Sequence, residues 1–314
     1  MAILVLSHPL PSAPFVAALQ ALAPDLPVWT EADTPPPDAV EVLLAWRLTA
    51  GVVPRYPKLR VVCSTGAGVD KLLAVPDLPA GLPVTRVVDP QQARTIAQYV
   101  VAQTLHATRD FARYEAQQAR AEWRRHPVRP AAQCRVGLLG QGEVAQAIAR
   151  AIVPLGLPLA LWGRHLRPLP GLEHADVTRY TGEAGLPALL ASSDVLVNTL
   201  PLTEATRGLL DRARLAQLPA GAWLVNVGRG EHLVEDDLRG LLDSGHLAGA
   251  ALDVFAREPL PRDHWLWGHP SVRATPHIAG EARFEVVAAA CLDALQRCRA
   301  GQAPQWLVNR NAGY

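Results

Sequence analysis

Val136-Gly137-Leu138-Leu139-Gly140-Gln141-Gly142-Glu143-Val144-Ala145 is a strand-like apolar run that meets a glycine turn and passes directly into a helical pattern over Gly142–Val153. Each position in the GxGxxA spacing has a physical task. Gly140 permits the tight turn, and Gly142 lets the backbone approach a pyrophosphate. Ala145 keeps the helix close to the sheet, and the helix N-terminus attracts the phosphate charge. Methyltransferases use similar loops, so the spacing by itself does not settle the ligand. The strand before it and the helix after it supply the context a dinucleotide site requires.

The end of the following strand bears on which dinucleotide binds. An NAD site places Asp or Glu about 20 residues beyond the glycines, against the ribose hydroxyls. Here that place reads Leu161-Trp162-Gly163-Arg164-His165-Leu166-Arg167, with Arg164 at 164 − 142 = 22 residues past Gly142. No carboxylate occurs between Gly156 and Leu172. Arg164, His165 and Arg167 therefore favour a 2′-phosphate, and NADP(H) is expected ahead of NAD(H). The competing reading is a set of solvated loop arginines, since Lys58 and Lys71 are the only lysines and arginine supplies the remaining basic residues.

Outward from this turn, short apolar runs alternate with helical stretches along the 314-residue chain. Strands are predicted at Ala2–Leu6, Val28–Thr30, Val40–Trp46, Leu59–Ser64 and Val84–Val88. A second series covers Arg135–Leu139, Leu159–Trp162, Val195–Leu200, Ala222–Val227 and Gly249–Phe255. Helices are predicted at Ala13–Leu22, Val69–Leu73, Val234–Leu242 and Glu281–Ala300, and Gln92–Trp123 carries helical spacing without Pro or Gly. Such alternation implies parallel βαβ units. The length suggests two domains at roughly 150 residues each, and the final helix is expected to return to the first of them.

The hydrophobic fraction is 49%, the charged fraction 19% and the net charge +1. No global field draws the chain to nucleic acid or to an anionic membrane. No uninterrupted apolar run reaches about 18 residues, so no membrane span is expected. Met1–Pro9 lacks a basic segment and reads as a buried strand, not a signal peptide. Cys63, Cys134, Cys291 and Cys298 show no metal-ligand spacing, so no metal is expected. A reduced, cytoplasmic protein follows as the expectation.

Three further residues close strand-like runs: Arg229, Glu258 and His277. In an open parallel sheet the carboxyl ends of the strands face one crevice, where the three could converge. Arginine presents a fork that matches a carboxylate. Histidine can pass a proton near neutrality, and a glutamate bonded to it favours its charged form. Their spacings, 258 − 229 = 29 and 277 − 258 = 19, fit no shared helix face. Any one alone has an ordinary structural explanation; three at three strand ends point to a catalyst. Ser64-Thr65-Gly66-Ala67-Gly68-Val69-Asp70 is a second glycine turn, able to form a backbone nest for a carboxylate or to be only a tight turn.

Asn226-Val227-Gly228-Arg229-Gly230, Gly249–Phe255, Glu258-Pro259-Leu260, Thr275-Pro276-His277 and Leu200-Pro201-Leu202-Thr203 with Thr206 resemble the D-isomer-specific 2-hydroxyacid dehydrogenase family. The resemblance covers essentially the whole chain and is closest to the bacterial A-type glyoxylate/hydroxypyruvate reductases. It implies two Rossmann-like, doubly wound parallel-sheet domains of α/β class. A cofactor domain (98–281) would be inserted into a flavodoxin-like substrate domain (1–97 and 282–314), usually in a homodimer. By the same resemblance Arg229 binds the 2-oxoacid carboxylate, His277 donates the proton, and Glu258 is its partner. Gly66, Ala67, Gly68 and Val69 match the substrate-carboxylate loop, and Trp46 could wall the pocket. Gly140, Gly142, Glu143 and Val144 match the pyrophosphate turn. Leu200, Pro201, Thr206 and Val227 belong to the cofactor motifs, and Asp253 matches the residue that orients the nicotinamide carboxamide.

Gly163 departs from the serine often found in related reductases, removing one hydroxyl contact to a 2′-phosphate. The expected reaction is NADPH-dependent reduction of glyoxylate to glycolate or of hydroxypyruvate to D-glycerate. The alternatives are a dehydrogenase for another D-2-hydroxyacid and a dinucleotide-sensing corepressor.

Overall fold

The computed structural model describes residues 2–173 and 175–314. The chain forms two compact units, Met1–Gln92 with Glu281–Tyr314, and Ala93–Gly280. The first boundary falls before the expected 97/98 because Ala93, Ile96 and Ala97 pack in the core of the second unit.

In the first unit, β1 (Ala2–Leu6), β2 (Val28–Thr30), β3 (Val40–Ala45), β4 (Val61–Ser64) and β5 (Val84–Thr85) make one parallel sheet in the order β2-β1-β3-β4-β5. That is the flavodoxin-like order. Successive side chains point to opposite faces, so Ile3, Val5, Val42, Leu44, Val61 and Cys63 enter one core, and Leu4, Leu43, Ala45 and Val62 enter the other. A sheet covered on both faces reads as continuous apolar runs, which is why its strands were legible. The helix Phe284–Arg299 packs Val287, Ala288, Cys291, Ala294 and Leu295 onto the first of these cores.

Asp89 pins the beginning of one connection to the end of the other. It is 3% exposed and accepts bonds from Arg283 N, Nε and Nη2, each at 3.1 Å, and from Gln91 N at 2.9 Å. Burial pushes its carboxyl upward, but the bonds and charge of Arg283 outweigh it and hold the group below its usual range. A depressed folded value gives stability that is present above the unfolded value and lost as pH falls through the folded one. Asp89→Asn should therefore lower the urea midpoint at neutral pH and shrink the further loss on acidification. A variant as stable as the parent at neutral pH would contradict this role.

In the second unit, β6 (Val136–Leu139), β7 (Leu159–Gly163), β8 (Val177–Thr181), β9 (Val195–Asn198), β10 (Ala222–Asn226), β11 (Leu247–Leu252) and β12 (Val272–Ala274) form a parallel sheet ordered β12-β11-β10-β9-β6-β7-β8. The strand order reverses between β6 and β9, the place where a doubly wound sheet opens its ligand crevice. Leu138, Leu161, Val195, Val197 and Val225 fill one face, while Leu139, Trp162, Leu196, Leu224 and Leu252 fill the other.

Three features differ from expectation. The stretch 92–123 is not one helix: Pro90–Thr108 ends, Asp110 turns left-handed at φ 58°, and Phe111–Ala119 follows. The strand β8 and the helix Gly182–Ala191 were not foreseen. β8 lies at the sheet edge with polar alternation, Val177-Thr178-Arg179-Tyr180-Thr181, and the helix carries an internal proline, Pro187. No helix among the described residues is long and apolar enough to cross a membrane.

Candidate active site

β10, β11 and β12 are neighbours, so their carboxyl ends share one edge. Arg229 follows the end of β10 and His277 the end of β12. Glu258 is not at a strand end as expected, because β11 stops at Leu252 and a loop carries the chain on to Glu258. That loop folds back on itself, with Phe255 N donating to Glu258 Oε1 at 3.1 Å. Glu258 Oε2 then meets His277 Nδ1 at 3.0 Å. Because a carboxylate only accepts, Nδ1 carries a hydrogen. Nε2 is therefore the ring atom that can release a proton while Nδ1 stays bonded. Both side chains are partly exposed, 29% and 25%.

His277 sits in the left-handed region at φ 57°, which costs roughly 1–2 kcal/mol for a residue with a Cβ. Asp253, 1% exposed, holds the turn in place. Its Oδ1 accepts from Thr275 Oγ1 at 2.7 Å and Ile278 N at 2.9 Å, and Oδ2 accepts from Ala279 N at 2.8 Å. Since Thr275 spends its proton on Asp253, Tyr99 donates its hydroxyl to Thr275 Oγ1 at 2.8 Å. Burial raises the Tyr99 phenol above its ordinary value and keeps it a donor. Asp253, expected to orient a carboxamide, is thus bonded to the backbone and side chain around His277.

A second buried network supports Arg229. Asn226 Oδ1 accepts from Asn198 Nδ2 at 2.9 Å and from Gly228 N at 3.2 Å, while Asn226 Nδ2 donates to Arg229 O at 3.0 Å. His232, 0% exposed, accepts at Nδ1 from Asn198 Nδ2 and Arg229 N. Its Nε2 hydrogen goes to Pro201 O at 3.2 Å. One imidazole therefore links the arginine turn to the Leu200–Pro201 turn after β9. Asn198, Asn226, His232, Thr275 and Tyr99 were missed in the sequence; a polar residue ending an otherwise apolar strand, as at Asn198 and Asn226, was the available signal.

Gly230 has no room for a side chain: a Cβ there would overlap the backbone of Phe255 and Ala256, the start of the Glu258 loop. Gly230→Ala should displace Glu258 from His277 and lower turnover by about 10²-fold or more, the lower range for a positioned proton donor. Unchanged turnover in a folded variant would show that the loop adapts without consequence.

The glycine turn fits a dinucleotide. Gly140 has φ 118°, and a Cβ there would lie 2.5 Å from Thr199 Oγ1. Gly142 faces open space and caps the helix Glu143–Ile152 without any side-chain bond, which leaves the first N–H groups at Glu143 and Val144 for an anion. Ala145 is 1% exposed, packed as expected. Arg164, His165 and Arg167 are exposed beyond β7. Thr206 Oγ1 is engaged within its own turn, donating to Pro201 O at 2.8 Å and accepting from Thr203 N at 2.8 Å. Leu200 is buried and Val227 half-buried between β10 and Arg229.

In the first unit, Gly66–Val69 lies at the carboxyl end of β4 and Trp46 at that of β3, its neighbour. Ser64 Oγ accepts from Gly66 N at 3.1 Å and donates to Gly68 O at 2.9 Å, which shapes the turn. A Cβ on Gly66 would meet the Trp46 ring at 3.4 Å, and Lys71 Nζ stands 5.4 Å from the centre of that ring.

Residues 101–279 match the family described as D-isomer specific 2-hydroxyacid dehydrogenase, NAD binding domain. A glyoxylate/hydroxypyruvate reductase A of Klebsiella pneumoniae (strain 342) is 35% identical over 291 residues, 91% of this chain and 90% of that one. The crystal structure of a D-isomer specific 2-hydroxyacid dehydrogenase from Xanthobacter autotrophicus Py2, in complex with NADPH and MES, superposes with TM-score 0.92 at 36% identity, covering 100% of this chain and 99% of that one. An NADPH-dependent glyoxylate/hydroxypyruvate reductase from Sinorhizobium meliloti, in complex with NADP and sulfate, gives 0.91 at 33% identity, with 100% and 99% covered.

Proposed function

The chain belongs to the D-isomer specific 2-hydroxyacid dehydrogenase family, and from that premise we propose that it reduces glyoxylate or hydroxypyruvate with NADPH as the preferred cofactor. The His277–Glu258 pair on the same sheet edge as Arg229 is the observation that carries this reading. Reduced nicotinamide supplies the hydride that the keto carbon accepts. Arg229 holds the oxoacid carboxylate, which orients the carbonyl before chemistry. His277 Nε2 gives its proton to the carbonyl oxygen as the bond to carbon forms, producing the 2-hydroxyacid. Glu258 keeps Nδ1 bonded and stabilises the ring while it is charged. For Gly66–Val69 and Trp46 of the first unit, contact with the oxoacid is part of the proposal.

The same reading makes the protein a cytoplasmic homodimer. Phe111, Trp123 and Val128, all exposed, are side chains a second copy could cover, and a monomeric mass in sedimentation would count against that. The test of the activity is the loss of reduced-cofactor absorbance with a panel of small 2-oxoacids and each cofactor. Glyoxylate and hydroxypyruvate should be reduced, and NADPH should exceed NADH by about 10- to 150-fold in kcat/KM, the worth of one charge-assisted contact. Silence across the panel with NADPH still bound would favour a dinucleotide sensor.

A further inference from the structure

Beyond the arginines expected in the loop after β7, a cluster beneath that loop points to another residue of the cofactor site. Arg179 lies on β8, opposite Leu161 of β7, and reaches across to the glycine turn. Its Nη2 donates to Gln141 Oε1 at 3.1 Å and to Arg167 O. Gln141 Oε1 also accepts from Arg167 N at 2.9 Å. Two donors on one amide oxygen fix the orientation of the Gln141 amide. Its Nε2 is left a buried donor without a partner among the described residues.

The same amide explains Gly163. A Cβ at that position would stand 3.0 Å from Gln141 Nε2 and 3.2 Å from Cδ, so the space a serine would take is filled by Gln141. The hydroxyl lost at Gly163 is thus accompanied by a guanidinium brought in from the neighbouring strand. Arg179 is exposed, and its Nη1 and Nε make no bond to the protein among the described residues. A cation bonded at once to the glycine turn and to the loop 164–167 lies where the pyrophosphate end and the ribose end of a dinucleotide site meet.

We propose that Arg179 is a specificity-determining residue for the 2′-phosphate of NADPH, adding charge to the Arg164–Arg167 loop and fixing its backbone through Gln141 and Arg167. The inference rests on the NADPH reading above. Its chemistry is charge-assisted bonding of a phosphate monoester, which NADH lacks.

The test is steady-state kinetics of the purified protein with glyoxylate, comparing the parent, Arg179→Met and Arg179→Gln with each cofactor at two salt concentrations. Arg179→Met should raise the KM for NADPH about tenfold, with NADH constants within about twofold of the parent. Arg179→Gln keeps a donor to the loop without the charge and should show most of the same loss, together with weaker salt dependence for NADPH. Equal losses with both cofactors would make Arg179 a purely structural residue, and no change with NADPH would remove it from the site; either overturns the proposal. Comparable use of NADH and NADPH by the parent would instead overturn the cofactor reading on which it rests. Should Arg179→Met fold poorly, judged by its thermal midpoint, the Arg179→Gln comparison decides alone.

Discussion

Replacing His277 by alanine should lower the turnover of glyoxylate reduction by about 10²- to 10⁴-fold, the usual worth of one positioned acid. NADPH affinity should stay near the parent value, because His277 follows the edge strand β12 while the glycine turn follows β6. The structure gives this expectation a specific form. His277 is held at φ 57° by bonds from its neighbours to Asp253, and its Nδ1 is bonded to Glu258. The ring is thus fixed by two independent supports before substrate arrives. Single-turnover rates with saturating NADPH, measured alongside fluorescence titration of the cofactor, separate proton transfer from binding. An alanine variant with unchanged turnover would remove His277 from the mechanism.

Replacing Arg229 by lysine should reduce kcat/KM for the oxoacid by roughly 150-fold, the equivalent of about 3 kcal/mol for a charge-assisted contact. Lysine keeps the charge and loses the planar fork, so the loss measures bidentate geometry as well as attraction. Most of it should appear in the oxoacid KM, with cofactor affinity unaltered. The backbone of the arginine is anchored separately, through Asn226 Nδ2 to Arg229 O and His232 Nδ1 to Arg229 N, so the substitution should leave the turn in place. Parent-like kinetics in Arg229→Lys would place the carboxylate elsewhere.

How much of this was legible in the sequence depended on the range of the interaction. Strands buried on both faces announce themselves as apolar runs, and the glycine turn carries its own spacing. Arg229 was found because it follows such a run, and His277 because it follows the short, half-buried strand β12. β8 was not, because an edge strand with Thr178, Arg179 and Thr181 shows no apolar run. The break at Asp110 was hidden for a different reason: neither Pro nor Gly marks it, although aspartate tolerates the left-handed turn better than most residues. The supporting networks were out of reach, since Tyr99 and Thr275 are 176 residues apart and Asn198 and His232 are 34 apart. Pairings of that kind follow from the sheet order, which adjacent sequence does not encode. Asp253 shows the same limit, because its bonds to Thr275 Oγ1, Ile278 N and Ala279 N join residues more than 20 positions apart.

The corepressor alternative would be attractive if one of Arg229, Glu258 and His277 were missing, and all three are present, with Glu258 Oε2 bonded to His277 Nδ1 at 3.0 Å. The most direct measurement follows the hydride itself. Hydroxypyruvate would be reduced with NADPH carrying deuterium at both positions of nicotinamide C4, and the glycerate product analysed by mass and by configuration. Glycerate of D configuration with deuterium at C2 is the expected result. Glycerate without deuterium at C2, or no glycerate while NADPH remains bound, would contradict the account.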